Sequence, residues 1–295
     1  YYLLLFCVTM GIGLCGLGVN VMHDSLHGSY SKNKVINKIM GATMEILGGS
    51  AVTWKIQHNL MHHTYTNVFG MDEDIDDKPF LRLSPDGKLR WYHRFQHLYA
   101  PILYGFSNTS WLVQKDFKQF IFYWKQGILK KAGYKPKTEF AKLIFNKTIY
   151  FLIAVALPIY LLPFPWHWVI LGFLIVQFVG GILMTLIFLT AHAVEVAHHY
   201  QPDQEGNLEN NWAIHQLKTT ANFNTDKNPL WDWYVGGLNH QIEHHLFPQI
   251  SHVHYGALAP IVRRTAEEFG ITYMEYTSFA GALSSHFRYL RDIGK

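Results

Sequence analysis

Long apolar runs alternate with polar, histidine-bearing stretches along this chain. Tyr1 to Met22 carries no charged residue, and about 20 apolar residues are enough to cross a bilayer core. Gly11, Gly13, Gly16 and Gly18 interrupt this run; in lipid, such small residues let helices pack closely. A cleaved leader is not expected, because the run has neither a basic start nor a small-residue cleavage site and leads straight into polar sequence. Phe145 to Leu162 and Trp166 to Ala191 are the next two apolar runs, separated by Pro163-Phe164-Pro165. They read as two spans joined by a tight turn, with Tyr160, Trp166 and Trp168 at the depth of an interfacial aromatic belt.

Between the first and second spans, Ser25 to Lys142 is polar overall, with semi-apolar stretches at Ile39 to Trp54 and Leu98 to Val113. Both are predicted as helices lying at the membrane interface or packed under a site, with a re-entrant course as an alternative for the first. Phe69 to Asp77 is an acidic turn, expected to be solvated. It lacks the spacing and terminal Glu of an EF-hand calcium loop. After His192 the pattern turns soluble: a polar loop at Gly206 to Asn211, a helix from Trp212 to Phe223 with Asn224 and Thr225 after it, and a closing amphipathic helix from Pro260 to Phe269. No period-two pattern is sustained and no repeat occurs. The expected fold is all-α, a single domain over residues 1–295 with a membrane stem and a helical cytosolic cap.

At 295 residues with 49% hydrophobic content, composition fits a large soluble domain or a small membrane protein equally well. A net charge of +4 is too small to argue for nucleic acid without a basic, aromatic-lined stripe. Its distribution says more. No Lys or Arg occurs in residues 1–31 or 148–217, so the segments inferred to face outward carry none. By parity, residues 23–143 and 192–295 then share the cytoplasmic side. Eight lysines between Lys115 and Lys142 are interleaved with Phe117, Phe120, Phe122, Tyr123 and Trp124. They read as positive-inside charge beside a membrane, or as a docking face for an acidic electron donor or anionic lipid. Cys7 and Cys15, the only cysteines, support no disulfide framework, Cys-based zinc site, iron–sulfur cluster or c-type haem.

The chemistry gathers in three histidine boxes: His23-Asp24-Ser25-Leu26-His27, His58-Asn59-Leu60-Met61-His62-His63, and Gln241-Ile242-Glu243-His244-His245. His at i and i+4 shares a helical face. Adjacent histidines lie about 100° apart and so suit two neighbouring centres better than one. Imidazole is a ligand for Fe, Zn, Cu and Ni, and seven histidines exceed what one tetrahedral zinc can use. A pair of irons fits better. Asp24 and Glu243, inside their boxes, are expected to accept the second ring N–H of a ligand.

HDSLH, HNLMHH and QIEHHLFP together resemble the boxes of the membrane fatty-acid desaturases, and Gln at the head of the third box marks the front-end branch. HHTYTNVFGMDEDI, NNWAIHQLKTTANF and SHVHY are similar to the bacterial acyl-lipid Δ6 type. The likeness runs from about Asn20 to the C-terminus. It implies that His23, His27, His58, His62, His63, His244 and His245 hold two irons, with His192 in TAHAVE as an eighth ligand. It also implies O₂ as co-substrate, a fatty acyl substrate on lipid or CoA, and a separate donor such as a ferredoxin or a cytochrome b5-like protein, since no His-Pro-Gly-Gly haem segment is present. The family has another span ahead of the first one seen here, so the chain is expected to lack one. Gln241 is left with three roles: weak ligand, holder of a water, or hydrogen-bonding group. His215 and His240 are reserve ligands or outer histidines, and His198, His199, His252 and His254 are read as ordinary polar residues. Trp54, Trp231, Trp233 and Tyr234 are candidates to line an acyl tunnel or to pack the core. A membrane diiron hydroxylase, a sphingolipid desaturase and a metal transporter are the alternatives; a transporter would place ionisable groups within its spans.

Overall fold

The structure, a computed structural model, describes residues 2–76, 78–224 and 228–295. In chain order the principal helices are α1 (Tyr2–His27), α2 (residues 51–65), α3 (Gln96–Gly105), α4 (residues 107–125), α5 (Pro136–Leu161), α6 (Trp166–His192), α7 (Trp212–Thr219), α8 (Gln241–Leu246), α9 (Tyr255–Glu268) and α10 (Phe279–Ile293). The single sheet among the described residues is a parallel pair, β1 (Asn222–Phe223) with β2 (Glu275–Tyr276). The fold is all-α in character, as expected.

Helices α1, α5 and α6 are long and apolar enough to cross a membrane. Their most apolar windows are only 28%, 11% and 28% buried within the protein, so most of that surface faces outward, which water would penalise and lipid would not. The glycine reading holds at the α1–α6 seam. A Cβ on Gly11 would stand 2.7 Å from the Cβ of Val179 and 2.9 Å from the carbonyl of Val176. Gly181 lets α3 approach α6 in the same way, its position lying 2.9 Å from the carbonyls of Tyr104 and Gly105. Leu98 to Val113 therefore includes a helix packed against the third span.

Several boundaries differ from expectation. Helix α1 does not stop at Met22 but carries the first box to His27, where Gly28 turns left-handed (φ 80°) and ends it. Helix α5 begins at Pro136, nine residues before Phe145, because Pro136 sits in its first turn, where a missing N–H costs nothing. That extension adds Lys137 and Lys142 to a helix whose expected span already held Lys147. The helix expected over Trp212 to Phe223 ends at Thr219. The N–H of Ala221 donates to Ala191 at the end of α6, and Asn222–Phe223 is drawn into the parallel pair. Asn224 follows without regular structure, and Thr225 lies outside the described residues. The last amphipathic helix starts at Tyr255 and passes through Pro260. Helix α10, not anticipated, closes the cap: His286 accepts or donates to the hydroxyl of Tyr104 (2.8 Å) and donates to the carbonyl of Ala193 (2.7 Å), joining α3 to the end of α6.

Candidate metal centre

The first box ends α1 and the second lies on α2. Both helices are locally under-wound. The turn Gly18–Met22 ahead of His23 and the whole of Lys55–His62 are π-helical. On an α-helix His63 would sit about 140° round from His58, on another face. The i→i+5 ladder of a π-helix brings such residues back together, and the Nε2 atoms of His58 and His63 stand 3.2 Å apart. His58 Nε2 is also 3.2 Å from His23 Nε2. Two nitrogens on one ion, at right angles with bonds of about 2.1 Å, would be ~3.0 Å apart. His244 and His245 enter from α8, and His192 from the last residue of α6.

These eight rings form two overlapping nests. Ligand atoms of His23, His27, His58 and His244 lie within 4.8 Å of one another, as do those of His62, His192 and His245. A third group, His63, His244 and His245, joins them. His244 and His245 thus fall in different nests, and His63, grouped with both, bridges them. Outward nitrogens are held by protein: His62 Nδ1 by the Asp72 carboxylate (2.9 Å), His245 Nδ1 by Gln216 Oε1 (2.8 Å), and His244 Nδ1 by the Tyr255 hydroxyl (3.2 Å). Partners of this kind fix the tautomer that leaves Nε2 free to ligate. Burial, reinforced by the neighbouring imidazoles, holds His58, His63, His244 and His245 well below the ordinary histidine range, so the rings are neutral and ready to bind metal.

The donor set fits a metal. Nε2 of His27, His192, His244 and His245 is buried with no hydrogen-bond partner in the protein. Such orphaned nitrogens are costly and call for an explanation, and four of them converging in one dry pocket are explained by coordination.

The outer residues need correcting. Glu243 does not hold a ligand: its carboxylate accepts from Asn222 Nδ2 (2.8 Å) and Tyr273 OH (2.9 Å) and stands 3.9 Å from His240. Burial lifts its carboxyl to about 7 against the pull of those two donors, and it serves to tie α8 to β1. Asp24 lies 3.9 Å from His23 Nδ1, while its short bond is to His252 Nδ1 at 2.8 Å. His252, read as an ordinary polar residue, therefore anchors the first box. His215 donates from Nε2 to the carbonyl of Thr66 (2.7 Å), and neither it nor His240 belongs to the nests. Gln241 is buried, and its amide nitrogen has no hydrogen-bond partner.

Two contributors were missed. The acidic turn is not solvated throughout: Asp72 is fully buried, takes the His62 imidazole, and accepts from the backbone N–H of Asn67 and Asp74. Asp77, at its end, lies outside the described residues. Asn67, in a left-handed conformation (φ 57°), donates to the carbonyls of His192 (2.9 Å) and His198 (3.1 Å), locking the second box to the end of α6. Among the tunnel candidates, Trp54 stacks on His58 with ring centroids 4.4 Å apart. Trp231 packs on Phe279, Trp233 is exposed, and Tyr234 donates to the Ile12 carbonyl. A cavity of about 20 Å³ walled by Met22, Met44, Asn108, Trp111, Leu112 and Met184 is lined by none of these four candidates.

A helical membrane stem ending in a buried nest of neutral imidazoles defines a class, that of membrane proteins equipped to hold metal with histidine alone. Residues 1–277 match the fatty acid desaturase family, and the chain belongs to it. It is accordingly an oxidoreductase of iron-dependent type. It is similar to the sn-1 linoleoyl-lipid 6-desaturases of Arthrospira platensis (36% identical, 98% of this chain, 77% of the relative) and Synechocystis sp. (38%, 99% and 80%). It is also similar to an acyl-lipid (8-3)-desaturase of Physcomitrium patens (35%, 99% and 60%).

Proposed function

We propose that this protein is a front-end acyl-lipid desaturase of Δ6 type. It places a cis double bond between C6 and C7 of a fatty acyl chain, with two irons held by His23, His27, His58, His62, His63, His192, His244 and His245. The observation that carries the reading is the pair of overlapping histidine nests with unpartnered Nε2 atoms at the stem's end. The third box in its QIEHH form and the likeness to two linoleoyl-lipid 6-desaturases support the position. Charge distribution along the chain supports a cytoplasmic cap and a single domain over residues 1–295, with the nests facing the cytoplasm.

Iron bound there supplies the O₂ activation and hydrogen abstraction that no side chain provides. Overall, two adjacent methylenes, O₂, two electrons and two protons become a cis alkene and two waters. The chain's own residues do the rest. Burial of seven of the eight rings, His27 alone being half-buried, keeps water from the reacting carbons, and Asp72, Gln216 and Tyr255 fix ring orientation. Trp54 and Met22 form the apolar surface against which an acyl chain is held. A dry, shaped cavity is what selects one methylene pair among many similar ones.

Feeding linoleate to an expressing host and locating double bonds by gas chromatography tests the reading. γ-Linolenate is the expected product; a new double bond on the methyl side of the existing ones, or a hydroxylated acid, overturns it.

Electrons come from a separate ferredoxin or cytochrome b5-like protein docking on the basic surface. Lys115 is engaged by Asp74 and Lys142 by Glu139, while Lys125, Lys130, Lys131, Lys135 and Lys137 remain exposed. Turnover with a reduced soluble donor is therefore expected to fall as salt rises towards physiological strength. Charge reversal at Lys130 and Lys131 should flatten that dependence; a rate indifferent to both changes removes docking from this face.

A further inference from the structure

The outward face of α5 is hollow on one side. Between α4 and α5 runs an open groove of about 630 Å³, walled by Leu112, Val113 and Phe117 of α4 and by Ile144, Phe151 and Val155 of α5, and continuing along α5 to Ile159. From Ile144 to Ile159 a helix rises about 22 Å at about 1.5 Å per residue, and the hydrocarbon core of a bilayer is about 30 Å thick. The groove therefore follows a spanning helix through much of that core, in the direction an acyl chain takes.

Among the described residues, only Lys147 and Thr148 bring polar groups to its wall. The Lys147 ammonium donates to Asp116 Oδ2 (2.6 Å), to the Gly48 carbonyl (2.6 Å) and, more weakly, to the Trp111 carbonyl (3.4 Å), which uses all three of its N–H groups. Thr148 Oγ1 donates to the Ile144 carbonyl one turn back (2.9 Å). No free donor is left for an occupant, so the groove favours hydrocarbon over anything polar. An apolar occupant also keeps water from the Asp116–Lys147 pair, whose attraction is strongest when dry.

The interfacial end of the groove is basic. Beyond Ile144 the two helices meet through Phe140, whose ring centroid lies 5.5 Å from that of Phe120 and 6.2 Å from that of Trp124. Lys137, Ile144 and Phe151 recur at seven-residue spacing and so share a face of α5. Lys137 is exposed, and a helix places it about 10 Å beyond Ile144 at this end. Lys118 and Lys125 are exposed on α4. Glu139, the one carboxylate on α5, is engaged by Lys142.

We infer that the groove is a binding site for one membrane glycerolipid with an anionic head group, its acyl chain lying along α5 and its head group meeting Lys137 at the interface. A second copy of this chain fits less well, because a two-fold contact through the groove would set each basic end against its twin. No histidine of the nests lines the groove, so this lipid is a resident and not the molecule desaturated.

The full chain is reconstituted in nanodiscs of phosphatidylcholine with a minority of phosphatidylglycerol, one or the other carrying a mid-chain diazirine, and photolysed adducts are mapped by mass spectrometry. The phosphatidylglycerol probe should mark Val113, Phe151 or Val155, and added phosphatidylglycerol should suppress those adducts where added phosphatidylcholine does not. Thr148→Phe and Ala156→Phe, at exposed positions of the groove wall, fill it and should cut the adducts about tenfold, the scale on which an apolar pocket rejects a misfit. Ile153→Phe, exposed on α5 but outside the groove, should leave them unchanged. Lys137→Gln should lower the preference for phosphatidylglycerol about fivefold, the effect of one lysine at an anionic membrane surface. Helicity and iron content control for folding, and Lys137→Gln with the competition in the parent decides the matter if a phenylalanine variant misfolds. Adducts spread evenly over the exposed side of α5, Ile153 included, would mean ordinary bilayer contact and overturn the site. Equal labelling by the two lipids, or a dimer whose contact covers the groove, overturns it too. Labelling is read without turnover, so a chain that forms no double bond refutes the desaturase reading and leaves this site standing.

Discussion

Alanine at His62 or His245 is expected to strip iron from the protein and abolish desaturation, while alanine at His254 leaves both largely intact. His62 and His245 share one nest with His192, their ring centroids 4.9 Å apart, and His245 also stacks on His63 at 4.4 Å. Removing either takes a donor from a group of three whose ligand atoms lie within 4.8 Å of one another. The loss should exceed the roughly 10–100-fold that follows removal of an outer partner. His254 is exposed and lies outside both nests. Iron by elemental analysis of the purified variants, with helicity as a folding control, reads the effect independently of turnover. Full iron loading in the His62 or His245 variant would take that residue out of the centre.

What could be read from the sequence was whatever local periodicity encodes. The three boxes and the apolar spans follow from spacing, and His192 came from resemblance to a family pattern. What could not be read depends on departures from the standard helix or on distant partners. Nothing in HNLMHH announces π-winding, yet that winding turns His58 and His63 to within 3.2 Å of each other. Glu243 and Asp24 were assigned by adjacency, but neighbours in sequence point to different faces, and their carboxylates found Tyr273 and His252 instead. Lys147, inside the span read from Phe145 to Leu162, drew no comment, because its partner Asp116 is 31 positions away. Helix α9 was cut short at Pro260, a residue that usually starts a helix but here is accommodated within one.

Asp72 is where reading an acidic run as solvated surface failed, and it carries the second large prediction. Asp72→Asn is expected to weaken iron binding about 10–100-fold, the usual cost of losing the partner that orients a ligating histidine. The substitution keeps the side chain's shape but only one acceptor oxygen, whereas the N–H groups of Asn67 and Asp74 bond different oxygens of the carboxylate, so helicity is measured alongside as a folding control. It removes the charge facing His62. Burial opposes protonation of that imidazole, but the Asp72 carboxylate outweighs burial and raises its pKa above the ordinary value. Asp72 itself is held down to about 2, where burial is outweighed by His62 and by the N–H groups of Asn67 and Asp74. The same carboxylate that makes His62 a stronger ligand also makes it a stronger base. Above the raised pKa the ring is neutral and the parent enjoys the full advantage; as pH falls through it, protons compete with metal and the advantage shrinks. In the asparagine variant burial is opposed only by the Asp74 carboxylate, 3.8 Å from His62 Nδ1, and proton competition at His62 begins at lower pH. The ratio of parent to variant affinity, measured by chelator competition across pH, should therefore be largest on the alkaline side and close towards acid. A ratio near one at every pH would mean that Asp72 holds only its own loop.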